Sequence, residues 1–322
     1  MESEPSSRRP VILDADPGVD DALAIMLALG SPELDVLGIC TVSGNVPLDT
    51  GTGNALKVLA LLGRSEVPVY TGASRPLRRE AVYATEVHGT GGLGDSALPL
   101  PDSPPSGDAV SFIAETLSAR PGEVTLIAVG PLTNLALAEA RAPGVLKKAR
   151  EVCAMGGAVD EPGNITPAAE FNFFADPDAA RQVVRSGASI TLAPLDVTHR
   201  VALVASHLAR MPATPVGRFV KEAVRPAMEL ALRLQAGRRF FLHDPLAVGL
   251  AIDPSFFRIE TVFADVETEG DLTAGQVVAD RRSFTREGNR EGLPVKCALD
   301  VDAARFLELF LSRICQGKGL SH

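Results

Sequence analysis

Apolar and polar positions divide the chain into short and longer blocks that alternate over nearly its whole length. Apolar runs of strand length are followed by segments of helical length. Strands that are apolar throughout are typical of a parallel sheet covered by helices on both faces. We therefore predict an α/β fold with a mostly parallel central sheet, in a single domain over residues 10–317. A short disordered polar tail is predicted over residues 1–9.

The predicted elements follow one another without an obvious linker. The predicted strands are residues 11–13, 34–42, 67–70, 124–129, 151–155, 190–195, 258–264 and 276–279. The predicted helices are residues 22–29, 54–62, 109–119, 133–141, 176–186, 245–251 and 302–315, with two more between residues 201 and 234. Segments 75–108 and 156–176 are predicted as long loops, which in a compact domain are usually functional or mobile.

Composition and charge exclude several classes of function. The net charge is −9 with both signs spread along the chain, whereas a nucleic-acid-binding surface needs basic patches. No apolar run approaches the ~20 residues that a membrane span requires. The cysteines at positions 40, 153, 297 and 315 form no CxxC pair, and the N-terminus has no secretory signal. We expect free thiols in a reducing cytoplasm.

Four aspartates surround the turn between the first predicted strand and the first predicted helix: Asp14, Asp16, Asp20 and Asp21. Helix capping is one explanation, because Asp16 precedes Pro17 and acids interact favourably with a helix N-terminus. Capping needs only one side chain, however, and four carboxylates in eight residues repel one another unless a cation lies among them. Ca²⁺ and Mg²⁺ prefer oxygen ligands, so we predict a divalent metal site at this turn.

Polar or glycine-containing turns also follow several other predicted strands, at Asn45, Gly130, Gly157 and Asp196. The carboxyl ends of parallel strands share one edge of the sheet, and ligands bind there in open α/β folds. We therefore expect these turns to lie at one rim together with Asp16.

Two further groups of polar residues each have a structural alternative. Asn164, Glu170 and Asn172 lie in one loop and offer the mixed donors and acceptors that a hydroxyl-rich ligand needs. Polar side chains in ordinary loops also bond to their own backbone. His243 and Asp244 stand at the start of an apolar helix. There Asp244 is either a functional acid or a helix cap.

Seven short blocks, taken together and in this order, resemble the inosine-uridine preferring nucleoside hydrolase family. The resemblance runs from about Arg9 to the C-terminal helix, and the DxDPGxDD pattern is highly specific to that family. The blocks are DADPGVDD at 14–21, VSGN at 42–45, VGPLTN at 129–134, MGG at 155–157, AEFN at 169–172, LDVTH at 195–199 and HDP at 243–245. The resemblance implies a Rossmann-like fold and Ca²⁺-dependent hydrolysis of the N-glycosidic bond of ribonucleosides to free base and ribose.

The resemblance also implies a metal site and its catalytic neighbours. Asp16, Asp21 and Asp244 would supply carboxylate ligands to Ca²⁺, together with the backbone carbonyl of Val129. Asp16 would also be the general base for the attacking water. His243 would be the acid that protonates the departing base, with a pKa suited to neutral pH.

By the same resemblance, a ribonucleoside would be held by six further side chains. Asp20 and Asn172 would contact the ribose 2′- and 3′-hydroxyls, and Asn45 would lie near the water and the ribose. Asn164 and Glu170 would hold the 5′ side, and His88 would line the base pocket. Phe240 or Phe241 would either stack on the base or belong to the core. The chain has no Trp, which excludes purine selection between indoles and leaves the choice of base open. The family implies a homotetramer or dimer that acts in nucleoside catabolism or salvage.

Two other functions are compatible with parts of the pattern. One is a Mg²⁺ phosphohydrolase with Asp14 or Asp16 as its nucleophile, although the downstream Lys and acidic motifs of that class are not evident. The other is a non-catalytic protein that binds ribose or calcium on the same fold. The presence of Asp16, His243 and Asp244 in their blocks favours an enzyme.

Overall fold

The computed structural model describes residues 8–283 and 290–316. Most of the predicted tail, residues 1–7, lies outside the described residues. Arg9 is already the first residue of strand β1 (Arg9–Ala15). In the described part of the chain, no helix is long and apolar enough to cross a membrane.

Strands and helices alternate along most of the chain. The strands after β1 are β2 (Leu34–Thr41), β3 (Val69–Thr71), β4 (Gly107–Asp108), β5 (Thr125–Ala128), β6 (Glu151–Met155), β7 (Ile190–Ala193), β8 (Ala202–Val204), β9 (Arg239–Phe241), β10 (Phe257–Val266), β11 (Val277–Ala279) and β12 (Leu293–Val301). The helices are α1 (Val19–Leu29), α2 (Leu48–Leu61), α3 (Thr85–His88), α4 (Ala109–Ala119), α5 (Thr133–Arg141), α6 (Phe171–Ala175), α7 (Pro177–Val184), α8 (Leu195–Thr198), α9 (Ala205–Ala209), α10 (Pro215–Arg233), α11 (His243–Ile252) and α12 (Ala303–Gln316). Two short 3₁₀ helices span Leu146–Lys148 and Pro254–Phe256.

The central sheet has the strand order β11-β10-β12-β7-β6-β5-β1-β2-β3-β4. Strand β10 is antiparallel to both of its neighbours. The pairs from β12 through β7, β6, β5, β1, β2 and β3 to β4 are parallel. The prediction of an α/β domain with a mostly parallel central sheet is confirmed.

Helices cover both faces of the sheet because neighbouring residues of the central strands point in opposite directions. In β1, Val11 and Leu13 belong to one hydrophobic cluster and Ile12 belongs to another. Helices α1, α2, α10, α11 and α12 contribute to the first cluster, and α4, α5 and α7 to the second. Burial of each large aliphatic side chain contributes roughly 1.5–3 kcal/mol, so the double-sided core holds the rim of the sheet in place.

Several elements differ from the sequence-based prediction. Strand β12 was not predicted. Helix α2 begins at Leu48 rather than at residue 54. The segment predicted as two helices contains β8 before the helices α9 and α10, and β8 pairs with β9 in a separate two-stranded antiparallel sheet. Short helices α3 and α6 lie inside the two segments predicted as loops.

Candidate active site

The site lies at the carboxyl ends of five strands that are neighbours in the sheet, in the order β7-β6-β5-β1-β2. These strands lead into the turns at Asp196, Gly157, Gly130, Asp16 and Asn45 respectively. The sequence predicted these turns at one rim because each follows an apolar strand, and the observed strand order places them there.

Asp21 organises the turn between β1 and α1. Its carboxylate accepts hydrogen bonds from the backbone N–H of Asp16 at 3.0 Å and of Gly18 at 2.9 Å. It also accepts one from the side-chain amide of Asn45 at 2.9 Å. The helix begins at Val19 and Gly18 is its cap residue. The explanation that Asp16 caps α1 is therefore wrong, and the acid that binds free N–H groups here is Asp21.

The Asp16 carboxylate is enclosed by backbone. Its Oδ2 accepts a hydrogen bond of 2.6 Å from the backbone N–H of Asn45. A Cβ built on Gly44 would lie 2.0 Å from Oδ2, and one built on Gly130 would lie 2.7 Å from Oδ1. The turns after β2 and β5 thus approach Asp16 as closely as glycine allows. Oδ1 is buried and has no hydrogen-bond partner in the described part of the chain.

Asp244 joins these acids from a distant part of the sequence. It lies in the first turn of α11, which packs against α1. One carboxylate oxygen each of Asp20, Asp21 and Asp244 lies within 4.8 Å of the other two, and all three side chains are buried. Asp244 makes no capping hydrogen bond, since the cap residue of α11 is Leu242. The alternative that Asp244 serves only as a helix cap is wrong.

The electrostatics of this cluster favour a bound cation. Burial raises the pKa of Asp20 to about 6, and burial together with the charge of Asp20 raises the pKa of Asp21 to about 6. Burial, followed by repulsion from neighbouring acids, raises the pKa of both Asp16 and Asp244 well above the ordinary value. Among the described residues, Oδ1 of Asp16, Oδ1 of Asp20 and Oδ2 of Asp244 are buried without a partner. Clustered oxygens without donors are the ligands that a hard divalent ion requires, so the residues present fit such an ion.

A hydrogen bond joins Asn172 to Val129. The side-chain amide of Asn172 donates to the carbonyl of Val129 at 2.8 Å and to the carbonyl of Met155 at 3.3 Å. Asn172 thereby links the carboxyl ends of β5 and β6. The backbone N–H of Asn172 donates to Oε1 of Glu170 at 2.8 Å.

Glu170 and Asn164 both bind the N-terminus of α6, but they differ in exposure. Oε2 of Glu170 accepts from the backbone N–H of Gly157 at 2.9 Å, and burial raises the pKa of the Glu170 carboxyl to about 7. Asn164 is exposed and accepts from the backbone N–H of Phe171 at 3.0 Å. The structure therefore brings Glu170 and Asn172 into the buried group and leaves Asn164 at its edge.

His88 is held over the first turn of α1. Its Nδ1 accepts a hydrogen bond of 3.1 Å from the backbone N–H of Val19 and lies 3.8 Å from Oδ1 of Asp20. Because a backbone N–H can only donate, a neutral His88 carries its proton on Nε2. Burial lowers the pKa of His88 to about 4. The side chain of Asn54 donates to the carbonyl of Gly91 at 2.8 Å and fixes the loop that carries His88.

His243 begins α11 and lies beside two other rings. Its Nδ1 is 2.8 Å from Oγ1 of Thr198. The ring centroids of His199 and Phe241 each lie 5.7 Å from that of His243. Burial, followed by the nearby imidazoles, lowers the pKa of His243 to about 3. The expectation that His243 titrates near neutral pH is therefore wrong for the metal-free protein, where the imidazole is neutral.

The two adjacent phenylalanines of β9 have different surroundings. Phe240 is 6% exposed and belongs to the core. Phe241 is half-buried and packs beside His199 and His243. Of the two alternatives considered for these aromatics, the core position applies to Phe240, and Phe241 is the ring near the site.

Asp14 is paired with Asn134 and not with the other acids of the turn. Its Oδ1 accepts from the side-chain amide of Asn134 at 2.7 Å, and burial raises the pKa of Asp14 to about 7. The amide oxygen of Asn134 accepts from the backbone N–H of Ala73 at 2.8 Å. The acids whose charges raise the pKa of Asp244 include Asp16, Asp20 and Asp21 but not Asp14, which argues against a role of Asp14 as an attacking nucleophile.

Sequence reasoning missed Thr198 and Gly44 as residues of the site, and it placed Gly130 at the rim without indicating its contact with Asp16. The glycines stood in recognised blocks, but only the fold shows that both press against Asp16. Thr198 also stood in a recognised block, LDVTH, which directly follows β7. Its partner His243 is 45 positions away, so spacing along the sequence gave no sign of the contact.

Comparison with known proteins agrees with this geometry. Residues 11–308 match the model of the inosine-uridine preferring nucleoside hydrolases. RihA, a pyrimidine-specific ribonucleoside hydrolase of Citrobacter koseri, is 40% identical over 311 residues, which cover 95% of this chain and 97% of that protein. A solved plant nucleoside hydrolase, PpNRh1, has a TM-score of 0.89 at 35% identity and covers 95% of this chain and 99% of its own. A purine-preferring ribonucleoside hydrolase from Gardnerella vaginalis has a TM-score of 0.89 at 32% identity, with 97% of this chain and 100% of that chain covered.

Proposed function

The chain belongs to the inosine-uridine preferring nucleoside hydrolase family and is an N-glycosyl hydrolase of ribonucleosides, and we propose that it works with a calcium ion held by the acids around Asp16. The observation that carries the proposal is the meeting of Asp244 with Asp20 and Asp21. Asp16 is not one of these three, but its charge interacts with those of Asp21 and Asp244, which supports its place beside them. Three buried carboxylates this close together, with unpaired oxygens, need a cation to be stable at neutral pH.

The proposed calcium ligands are the carboxylates of Asp16, Asp21 and Asp244 and the carbonyl of Val129. Carboxylate and backbone carbonyl oxygens form the ligand set that Ca²⁺ prefers. When bound, the ion would orient the attacking water and lower its pKa.

Asp16 is the proposed general base. Its Oδ2 is held by the backbone N–H of Asn45, and its Oδ1 has no partner among residues 8–283 and 290–316. One oxygen thus fixes the orientation of the carboxylate and the other is free to accept the proton of the water. A correctly placed base typically contributes about 10²–10⁴-fold to the rate.

The proposed ribose site is the polar surface around the acid cluster. Expulsion of a base from ribose passes through an oxocarbenium-like state, and carboxylate and amide oxygens stabilise its positive charge. Asp20 and Asn172 are proposed to bind the ribose 2′- and 3′-hydroxyls, Asn45 to lie near the water and the ribose, and Glu170 and Asn164 to hold its 5′ side. The burial of the first four side chains supports these roles, whereas Asn164 is exposed and would contact the sugar only at its outer edge.

Two histidines are proposed to act on the base. His243 would assist its departure, and its lowered pKa indicates that a neutral imidazole would do so by donating a hydrogen bond. His88, with its proton on Nε2, would line the base pocket as a second donor. Because hydrogen bonds that strengthen as charge develops raise turnover, both contacts would act on the chemical step.

Uridine and cytidine are the proposed first substrates, because RihA of Citrobacter koseri is named as pyrimidine-specific. The protein from Gardnerella vaginalis is named as purine-preferring, so inosine and adenosine belong in the same assay. A role in nucleoside salvage or catabolism, a homotetrameric or dimeric assembly, a cytoplasmic location and the domain bounds 10–317 all stay predictions.

The test is release of reducing sugar from uridine, cytidine, inosine and adenosine by the purified protein, with Ca²⁺ and with a chelator. We expect release that chelation abolishes and that calcium restores. Asp16→Ala should lower kcat/KM by at least about 100-fold and weaken calcium binding measured by calorimetry.

Other outcomes of this assay would favour other functions. Sugar release that requires phosphate would indicate a phosphorylase. Phosphate release from nucleotides without turnover of nucleosides would favour the Mg²⁺ phosphohydrolase. Binding of nucleosides without turnover would favour a non-catalytic protein. Nucleoside hydrolysis that survives complete chelation would contradict the calcium site but not the hydrolase activity.

A further inference from the structure

The LDVTH block has no role in the proposed mechanism, yet its last two residues contact the proposed donor to the base. Thr198 is fully buried at the end of α8, and its Oγ1 lies 2.8 Å from Nδ1 of His243. The ring of His199 meets the ring of His243 edge-on at 5.7 Å, and Phe241 packs against both. The imidazole of His243 is therefore fixed by one hydrogen bond and two ring contacts.

The surroundings of Thr198 decide the direction of that hydrogen bond. A threonine in a helix commonly donates its hydroxyl proton to the carbonyl four residues earlier, which here belongs to Pro194. That carbonyl already accepts the backbone N–H groups of Val197 and Thr198, each at 3.1 Å. In the part of the chain that the structure describes, Nδ1 of His243 is the one hydrogen-bond partner of the Thr198 hydroxyl.

The opposite arrangement would leave a buried donor unpaired. If Nδ1 carried the proton and donated to Oγ1, the hydroxyl proton of Thr198 would have no acceptor. A buried polar group without its partner is costly. The arrangement that satisfies both groups has the hydroxyl donating to a bare Nδ1, so the proton of a neutral His243 is on Nε2.

We propose that Thr198 is a positioning residue that holds His243 with a bare Nδ1 and its proton on Nε2, so that the imidazole presents its Nε2–H to the departing base. This inference rests on the proposed function for its catalytic part. The logic is that of other catalytic histidines, in which the hydrogen bond at one ring nitrogen determines which proton the other nitrogen carries. His88 is held in the same tautomer by a backbone N–H, so both imidazoles of the site are donors through Nε2.

The kinetic test compares Thr198→Val, which keeps the shape and removes the hydroxyl, with Thr198→Ser, which keeps the hydroxyl. We expect Thr198→Val to lower kcat on uridine and inosine by roughly 10- to 100-fold, because a loosened donor forfeits part of the ~10²–10⁴-fold that such a group contributes. On nitrophenyl riboside, whose leaving group needs no donor, the loss should stay within about 3-fold. Thr198→Ser should restore most of the activity on nucleosides, and His243→Ala should show the same substrate pattern with a larger loss.

Thr191→Val is the matched control. Thr191 is as buried as Thr198 and lies in the neighbouring strand β7, but its hydroxyl donates to Glu151 at 2.6 Å. This variant removes a buried hydroxyl that does not contact His243. Any loss in kcat should therefore be the same on nucleosides and on nitrophenyl riboside. Equal losses on both substrates in Thr198→Val would show a merely structural role and overturn the proposal, as would full activity on nucleosides.

A second measurement decides the tautomer without any turnover. In protein with ¹⁵N-labelled histidine at pH 8, long-range proton–nitrogen correlation distinguishes a protonated ring nitrogen from a bare one, and His243→Ala identifies the signals. We expect a protonated Nε2 and a bare Nδ1 for His243, a mixture of tautomers in Thr198→Val, and unchanged signals from His88 in both proteins. A protonated Nδ1 in the unmodified protein would refute the inference. If the unmodified protein does not turn over nucleosides, the proposed function is refuted. The tautomer of His243 is then still decided by the ¹⁵N signals.

Discussion

Gly44 lies so close to the carboxylate of Asp16 that no side chain fits between them. A Cβ at this position would lie 2.0 Å from Oδ2 of Asp16, well inside van der Waals contact. Gly44→Ala should therefore displace the carboxylate from the N–H of Asn45. Because a misplacement of about 1 Å at a reacting group costs on the order of 100-fold, we expect kcat/KM to fall by about that factor, together with the calcium affinity measured by calorimetry.

The control for this prediction is Gly91, a glycine in the loop that carries His88. A Cβ at Gly91 would meet nothing within 4 Å, and the residue is exposed. Gly91→Ala should keep kcat/KM within about 2-fold. Unchanged activity and calcium affinity in Gly44→Ala would show that Asp16 tolerates displacement, which is incompatible with its proposed role as base and ligand.

At the scale of single residues, the sequence predicted the acids better than it predicted their partners. Asp16, Asp20 and Asp21 stand together in the chain, and their mutual repulsion suggested a cation directly. The contact of Thr198 with His243 joins residues 45 positions apart and leaves no periodic signal. The low pKa of His243 arises from burial by β9 and α8, and an isolated histidine gives no indication of it.

Strand β9 carries two adjacent phenylalanines, and the sequence pattern did not show which of them lies near the site. In the structure they differ in burial and in contacts. Phe240 is buried in the core, so Phe240→Ala should lower the free energy of unfolding by about 3–5 kcal/mol. Phe241 is half-buried beside His243. Phe241→Ala should lower the free energy of unfolding by less and should reduce kcat/KM on nucleosides about 10-fold, since it loosens the ring of His243.

Urea denaturation and steady-state kinetics on both variants check this division. The substrate pattern matters as well, because a loosened His243 should affect uridine and inosine more than nitrophenyl riboside. Should Phe241→Ala instead reduce stability as much as Phe240→Ala and leave kcat/KM unchanged, Phe241 belongs to the core and not to the site.

At the scale of elements, long apolar segments were predicted well and short paired strands were not. Helix α1 and strands β1, β5 and β6 are apolar and contiguous, so local pattern was enough. Strand β12 alternates only from Val295 through the exposed Lys296 to Cys297, and the alternation ends at Ala298, which is buried like Cys297 before it. It is defined by pairing with β10 and β7, which are distant in sequence. The three-residue strands β8 and β9 are defined by their pairing with each other. Pairing between distant segments cannot be predicted from the local sequence pattern.

For the molecule as a whole, the rim collects acids from both halves of the chain and thereby links folding to metal binding. Asp14 and Glu170 have pKa values raised to about 7, and Asp20 and Asp21 have values raised to about 6. Burial is the first cause in each case. In the unfolded chain these carboxyls would titrate near their ordinary pKa values, about 4. Between pH 4 and pH 7 the folded, metal-free protein therefore binds protons that the unfolded chain has already lost.

The sign of the pH dependence follows from this difference. Stability falls with rising pH wherever the native state binds more protons than the unfolded state. In the presence of a chelator, the free energy of unfolding should decrease from pH 5 to pH 7, by up to about 1.4 kcal/mol per pH unit for each group that titrates. Bound calcium replaces the protons on the acids of its own site, such as Asp21, but not those on Asp14 and Glu170. Calcium at about 100 times its dissociation constant should therefore add roughly 2.7 kcal/mol, with a larger gain at pH 7 than at pH 5. Urea unfolding at the two pH values, with chelator and with calcium, checks both statements. If the protein with chelator becomes more stable from pH 5 to pH 7, the buried acids do not need a cation at neutral pH.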